Sequence, residues 1–511
     1  MLKKGLIGFA AIVVLSAVAV WAFWPAPWTV NAPITNSLFG WGVDTPEQSA
    51  VRAKLDLPDG ASVALYARDL GQARILKFTP HGDLLVSVPR EGRIVILRRD
   101  GDGDGRADAA ETLIDGLDRP HGIELVDGTL FIGETSAIGR VDYDSARGAI
   151  VGDYRHIVSG LPGGGNHWTR TVRQGPDGAL YVNIGSSCNV CLEEDERRAT
   201  ILRIALDGST EEIFATGLRN TLGFDWHPTT GVLWGGDNGR DLLGDDVPPE
   251  ELNRIVEGGF YGWPYFYGDN VIDRDFDATP PPEADPVAPA MTLKAHMAPV
   301  SFRFVSTEKA PAALQGNALM GLHGSWNRTT KSGYMIAMIS FDDDGQPTGY
   351  APYISGFLKD GSAWGRPVDT AFGPDGALYV SDDYAGAVYR IAYDGSTATG
   401  KAPSAAQPAV SSQTPTEKHP PGTAVVSTAE KAGLPDGHAE AGKDLYRGKG
   451  CAGCHGTGPG ATAAVPLQNL SRYAPEEIAA ILTSPPGNMP SYRFEPQQLA
   501  DLATYLRQTY P

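Results

Sequence analysis

Gly175-Pro176-Asp177-Gly178-Ala179-Leu180-Tyr181-Val182 recurs letter for letter as Gly373-Pro374-Asp375-Gly376-Ala377-Leu378-Tyr379-Val380. In both, a Pro-Asp-Gly turn delivers the chain into a strand rich in β-forming residues. A looser copy, Pro80-His81-Gly82-Asp83-Leu84-Leu85-Val86, and weaker ones at Val126 to Ile132, His227 to Trp234 and Gln315 to Met320 give about six units at intervals of roughly fifty residues, with one long insertion. Short alternating segments such as Gly92 to Leu97 and Ala199 to Ala205 lie between them, with almost no helical periodicity. This pattern predicts an all-β six-bladed β-propeller rather than a sandwich or barrel, with ligands held by the loops at the mouth of its channel.

The tail has a different grammar. In Cys451-Ala452-Gly453-Cys454-His455 two thiols and an adjacent imidazole have the spacing of a c-type haem attachment site, so Cys451 and Cys454 are expected on the porphyrin edge and His455 on the iron. Met489, on the Pro/Gly loop Pro485 to Pro490, is the one methionine after this motif and the expected second axial ligand. Ala439 to Lys449 reads as a helix leading into the motif. Pro496 to Tyr510 reads as an amphipathic helix with Leu499, Leu502, Ala503 and Leu506 on one side. From about Gly433 to Pro511 the chain resembles the class I cytochromes c, which implies a small all-α electron-transfer domain.

At the other end, Leu6 to Phe23 carries no charge and follows Lys3 and Lys4, with Trp21, Trp24 and Trp28 beyond it. This is the pattern of an N-terminal transmembrane helix with an interfacial aromatic belt, or of a cleaved signal peptide. Either reading exports the rest, which predicts the periplasmic side of the inner membrane and agrees with haem attachment outside the cytoplasm. The four cysteines form two CxxC pairs. A net charge of −19 argues against nucleic acid and anionic membrane surfaces as partners. The organisation expected is an anchor or signal over 1–28, an extension over 29–58, the propeller over 59–395, a Pro/Ala/Ser/Thr linker over 396–432 and the cytochrome over 433–511. The linker's expected reach is roughly 30 Å.

The propeller loops carry further motifs in order: Asn166-His167-Trp168-Thr169-Arg170, Gly217-Leu218-Arg219-Asn220, Gly258 to Pro264 and Gly365-Arg366-Pro367-Val368. Over about Asp59 to Asp394 these resemble the pyrroloquinoline quinone (PQQ)-dependent sugar dehydrogenases, and more closely their sorbosone dehydrogenase branch. The resemblance implies oxidation of a sugar, related alcohol or aldehyde hydrate by hydride transfer to PQQ, then electron transfer to the fused haem and a respiratory acceptor. It implies His167 as general base, suited by its near-neutral pKa, and Arg219 with Asn220 on the quinone oxygens. It implies Lys331 and Arg366 on the cofactor carboxylates, and His121 and His296 facing the site.

It also implies an activating calcium held by the carbonyls of Gly239 and Arg240, in a segment that departs from the soluble glucose-oxidising members by inserting Leu242 to Pro249. A second calcium loop is read from spacing alone: Asp100, Asp102, Asp104, Gly105, Asp108 and Glu111 match a twelve-residue EF-hand-type pattern, though a strand precedes it. Cys188-Asn189-Val190-Cys191 lacks a following histidine and is expected to be a local disulfide. Two other functions stay open at this point, a calcium-dependent hydrolase of the lactonase-propeller type and a non-catalytic binding propeller carrying an electron-transfer cytochrome.

Overall fold

Each copy of the repeat is the hairpin joining the first two strands of a blade. The computed structural model describes residues 44–276, 285–393, 407–408, 435, 437–448, 470–483 and 496–510. In it Gly175 N donates to Ala179 O at 2.8 Å, and Gly178, at φ 82°, donates to Gly175 O at 2.9 Å; Gly373, Ala377 and Gly376 (φ 80°) repeat this at 2.9 Å. The Asp177 carboxylate accepts from Ala179 N, Tyr181 Oη and Arg203, as Asp375 does from Ala377 N, Tyr379 Oη and Arg390. The recurring Asp and Tyr are therefore what close the turn and brace its strand.

Among the described residues six blades follow in chain order, each built on four antiparallel strands, with the short strand Gly259–Phe260 added in parallel to the third. The innermost strands are Leu76–Phe78, Gly122–Val126, Val172–Gln174, Gly223–Trp226, Pro299–Phe304 and Pro367–Phe372. The sixth blade is completed by Ala61–Ala67, which pairs with Ala387–Tyr393 and so closes the ring with the N-terminal strand. Second strands such as Leu84–Val88, Leu180–Ile184 and Leu378–Asp382 are buried at every position, since each blade is covered on both faces by its neighbours.

A ring of alternating charge crosses the channel, one residue from each inner strand. Lys77 pairs with Glu124 at 2.5 Å, Glu124 with Arg173 at 3.5 Å, Arg173 with Asp225 at 2.9 Å, and Arg303 with Asp369 at 2.9 Å. Asp225 accepts Phe304 N beside Arg303, and Asp369 accepts Leu76 N beside Lys77, both at 3.0 Å. A cavity of about 310 Å³ lies beneath this ring and is lined by Lys77, Arg173, Asp225 and Arg303. Most of their charge is spent on the ring.

In an antiparallel blade the first strand begins, and the second ends, at the same mouth. The loops entering inner strands and those leaving second strands therefore gather at one end of the channel. Connections between third and fourth strands lie at the other.

The chain divides into Met1–Gln413 and Thr414–Pro511. In the second unit, helices Ala439–Gly448, Pro475–Thr483 and Pro496–Thr509 enclose Tyr446, Ile478, Leu482, Leu499, Leu502, Ala503, Leu506 and Tyr510. Gly442 permits the close crossing, because a Cβ there would collide with the Asp501 carbonyl. The helix Pro475–Thr483 and the short Gln48–Lys54 before the propeller were not anticipated from sequence. Leu6 to Phe23, Cys451, Cys454, His455, Met489 and nearly all of 396–432 lie outside the described residues. Among the described residues no helix is long and apolar enough to cross a membrane.

Candidate functional site

His167 lies in the loop entering the third blade. Two buried arginines hold this loop by its carbonyls: Arg170 donates to His167 O at 3.2 Å, Thr169 O at 2.7 Å and Pro162 O at 2.5 Å, and Arg198 donates to His167 O at 3.4 Å and to Gly164 O, and also to Gly185 O, after the second strand, at 3.1 Å. His167 Nδ1 lies 2.9 Å from both the carbonyl oxygen and the Oγ of Ser186, and Ser186 Oγ donates onward to Cys188 O at 2.8 Å. Burial, with the Arg219 guanidinium next in effect, holds the His167 pKa well below the usual imidazole range.

Arg219 and Asn220 enter the fourth blade from a corner fixed by Asp237. That buried carboxylate accepts Arg219 N at 3.0 Å, Asn220 N at 2.7 Å and Thr221 Oγ1 at 2.7 Å. Gly185 brings the two loops together, since a Cβ on it would lie 2.6 Å from both Asn220 Oδ1 and His167 Cβ. Asn220 Oδ1 is buried without a hydrogen-bond partner. The sequence-predicted pair and the predicted base thus meet at one place.

The expected calcium segment is more occupied than the sequence suggested. Gly239 O accepts from Arg219 Nη1 at 2.8 Å, Asn238 O accepts from it at 3.1 Å, and Arg219 Nη2 lies 3.4 Å from Asp241 Oδ2. Arg240 directs its side chain to Asp273 at 2.7 Å and Asp275 at 2.9 Å. Glu250, which sequence reasoning missed, accepts Gly239 N at 2.7 Å and Ala298 N at 2.8 Å, and burial pushes its carboxyl up to about 8. The inserted Leu242 to Pro249 docks on neighbouring loops: Leu242 N donates to Asn327 Oδ1 at 2.7 Å, Arg328 pairs with Asp246 at 2.7 Å, and His296 Nε2 bonds Gly244 O at 2.7 Å. His296 is therefore tied to the insert.

A second polar cluster stands at the same mouth. Asp383, after the second strand of blade six, pairs with His323 at 2.8 Å and Arg74 at 2.6 Å. Arg366 donates to His323 O at 3.1 Å and Gly324 O at 3.0 Å. His121 is fully buried edge-on to Trp168, 6.0 Å between ring centres, and burial together with Arg74 keeps it neutral. Lys331 is not joined by any contact to His167 or Arg219. Its Nζ donates to Gly361 O at 2.8 Å on the loop that precedes Arg366.

Cys188 and Cys191 form a disulfide. The residue between them that sequence reasoning passed over, Asn189, bonds the Arg219 side chain at 2.9 and 3.0 Å. At the opposite end of the propeller, Asp100, Asp102 and Asp108 bring carboxylate oxygens within 4.8 Å of one another. Asp104 and Glu111 do not join them. Glu111 is on the strand paired with Arg93–Leu97, which places its carboxylate 2.6 Å from Arg98; an EF-hand loop would continue into a helix instead.

The TrAA12-like family matches residues 55–265 and 277–394, and residues 437–506 match a family described as cytochrome C oxidase, cbb3-type, subunit III. An uncharacterized protein of Borreliella burgdorferi is 37% identical over 218 residues, covering 42% of this chain and 57% of its own length. A pyrroloquinoline quinone-dependent pyranose dehydrogenase of Coprinopsis cinerea is 23% identical over 426 residues, covering 68% of this chain and 56% of its own length. The chain thus spans a little over half the length of the curated relatives it matches. The calcium structure of Trichoderma reesei Carbohydrate-Active Enzymes Family AA12 superposes with a TM-score of 0.60 at 22% identity, over 69% of this chain and 100% of that one. The holo form of the Coprinopsis cinerea pyranose dehydrogenase PQQ domain gives 0.56 at 22% identity, over 66% and 96%. At such identity the likeness establishes the propeller fold.

Proposed function

Since the chain belongs to the TrAA12-like family, we propose that it is a PQQ-dependent dehydrogenase that oxidises a sugar or related alcohol and passes the electrons to its own haem c domain. The observation that carries this reading is the meeting of His167 and Asn220 at Gly185, with the Arg219 guanidinium near enough to depress the His167 pKa. Several features of the mouth suit a bound quinone. Asn220 Oδ1 is buried and unpartnered, Gly185 lets Asn220 and His167 close in where a side chain would stand, and the buried cations Arg219 and Arg366 suit quinone and carboxylate oxygens.

When bound, PQQ supplies a two-electron hydride acceptor. The chain's part is proton chemistry and orientation. His167, held neutral by burial and by Arg219, would accept the substrate hydroxyl proton at Nε2. Asn220 would hold a quinone oxygen, and Arg219 would do so by releasing one of its present acceptors, such as Asn238 O at 3.1 Å, its charge favouring the negative charge developing there. Lys331 and Arg366 would serve the cofactor carboxylates, with Lys331 leaving Gly361 O to do so. Calcium would find hard oxygen donors at Gly239, Arg240, Asp241 and Glu250, sharing the Gly239 carbonyl with Arg219. Cys451 and Cys454 would carry the haem, with His455 and Met489 on its iron. Anchorage by Leu6 to Phe23 on the periplasmic side and a respiratory onward acceptor complete the reading.

The test is the full-length protein loaded with PQQ and calcium and offered a panel of aldoses, ketoses and sugar alcohols. Substrate should reduce both an artificial dye and the haem. Met489→Ala should spare dye reduction and impair the haem step. Neither dye nor haem reduced by any sugar in fully loaded protein would falsify the assignment, and quinone-independent lactone hydrolysis by the same preparation would replace it with the hydrolase reading.

A further inference from the structure

An arginine that acts at an active site must be held in one plane. The edge of a guanidinium formed by Nε and Nη2 is the one that takes a bidentate carboxylate. On Arg219 that edge is occupied by Asn189: its carbonyl accepts from Nε at 2.9 Å and its Oδ1 from Nη2 at 3.0 Å. Two neutral oxygens thus fix the plane of the group, at shorter range than the Asp241 carboxylate, which lies 3.4 Å from Nη2. The Asn189 amide is itself locked, with Oδ1 accepting Asp241 N at 2.7 Å and Nδ2 donating to Asp241 O at 3.0 Å. It therefore ties the third-blade loop to the fourth-blade loop at the point where Arg219 passes between them.

Asn189 sits inside the ring closed by Cys188 and Cys191. Ser186, whose carbonyl bonds His167, also donates through Oγ to Cys188 O at 2.8 Å. A free stretch from Cys188 to Cys191 would sample many backbone states; closure into a four-residue ring removes most of them. The ring is thus a small rigid platform that touches the arginine directly and the base through Ser186.

We propose that Asn189, presented by the Cys188–Cys191 ring, is a positioning residue that fixes the plane of Arg219 through two neutral oxygens. This rests on reading Arg219 as the quinone-facing cation. Asn189 touches no reacting atom in that scheme. It acts through the guanidinium.

The experiment compares wild type, Asn189→Ala, the double variant Cys188→Ser/Cys191→Ser and Arg219→Lys, all full length and loaded with PQQ and calcium. Three quantities are read: the absorption band of the bound quinone, kcat and KM with dye as acceptor, and the acid limb of kcat/KM. Asn189→Ala should lower kcat about tenfold, the effect of one lost charge-assisted hydrogen bond, with KM changed less than about twofold. The quinone band should shift. The acid limb should move to higher pH, because a guanidinium that swings away stops repelling the His167 imidazolium, leaving Arg198 and Arg170 as the cations nearest it. The double cysteine variant should move all three in the same direction by less.

Unchanged kcat, band and acid limb in Asn189→Ala overturn the proposal. So does a loss traced wholly to a lower melting temperature or weaker quinone binding, with the loaded fraction turning over normally. Wild-type behaviour of the double cysteine variant beside an impaired Asn189→Ala overturns the part assigned to the ring. Arg219→Lys at wild-type turnover overturns the reading of Arg219 itself, a separate failure.

Discussion

His167 Nδ1 lies 2.9 Å from the carbonyl oxygen of Ser186, and because a carbonyl only accepts, Nδ1 carries the proton and Nε2 keeps its lone pair. The backbone thereby selects the tautomer that a general base requires. Replacing His167 by Ala should reduce kcat by about 10²- to 10⁴-fold, the range for loss of a positioned base, while quinone binding measured by absorption titration stays within a few-fold of wild type. Loss of quinone binding in step with activity would make His167 a cofactor ligand instead.

The pH dependence has a definite sign. Burial, then Arg219, depresses the folded-state pKa of His167 below its ordinary 6.5, so the base form persists into mildly acidic solution. The acid limb of kcat/KM for dye reduction should therefore fall below pH 6.5. The same burial applies to His121 and His323. Below pH 6.5 the unfolded chain takes up protons that the folded one refuses, so stability should decline as the pH drops from that point. A limb above pH 6.5, read from initial rates across the range, would contradict the neutral base.

Gly185 offers a sharper probe, because its backbone conformation tolerates any residue and only space forbids a side chain. A methyl group there would press on Asn220 Oδ1 and His167 Cβ, each 2.6 Å away. Gly185→Ala should cost more than about tenfold in kcat, since both neighbours must shift within a preorganised site. The melting temperature should fall by a few degrees at most. Normal turnover with alanine at 185 would mean that His167 and Asn220 are free to move without penalty.

What could be read from sequence was what lies in short stretches. The Gly-Pro-Asp-Gly turn announced the blades because Asp177 and Tyr181, like Asp375 and Tyr379, close their own hairpin within four residues. His167, Arg219 and Asn220 were found through loop motifs, and the topology then gathered them at one mouth. Asn189 was hidden inside a CxxC whose disulfide explained it away. Glu250 was invisible because its partners, Gly239 and Ala298, arrive from different loops. Glu111 was misplaced because the twelve-residue spacing says nothing of whether a strand follows, and here a strand hands its carboxylate to Arg98.

The charge ring was equally illegible, since its six members are scattered one to a blade. Asp369 is fully buried and bonds Arg303 through both oxygens, at 2.9 and 3.2 Å. Asp369→Asn should destabilise the propeller by about 3–5 kcal/mol, because it strands a desolvated guanidinium. Arg303→Met with Asp369→Leu should recover much of that loss, as paired removal leaves no lone charge. Chemical denaturation followed by tryptophan fluorescence separates the two. Equal losses would mean that packing, and not charge balance, holds the channel closed.

Glu251 gives the opposite pH signature from the histidines. It lies on the third strand of blade four, accepts Gly268 N at 2.7 Å and Asn253 Nδ2 at 3.0 Å, and is pushed up to about 8 by burial, with Asp237 adding to the effect. Its folded-state pKa thus stands above its unfolded value of about 4.5, so its contribution to stability is complete below pH 4.5 and is lost as pH rises toward 8. The slope has an upper bound of about 1.4 kcal/mol per pH unit, one proton's worth. Glutamine cannot ionise, its oxygen can still accept Gly268 N, and its amide can donate to Asn253 Oδ1 once the Asn253 amide turns over, since that oxygen has no partner to lose. Glu251→Gln should therefore flatten the decline in unfolding free energy between pH 5 and pH 8 and raise the melting temperature most at pH 8. An unaltered slope in the variant would show that the carboxyl at 251 ionises inside the fold as readily as outside it.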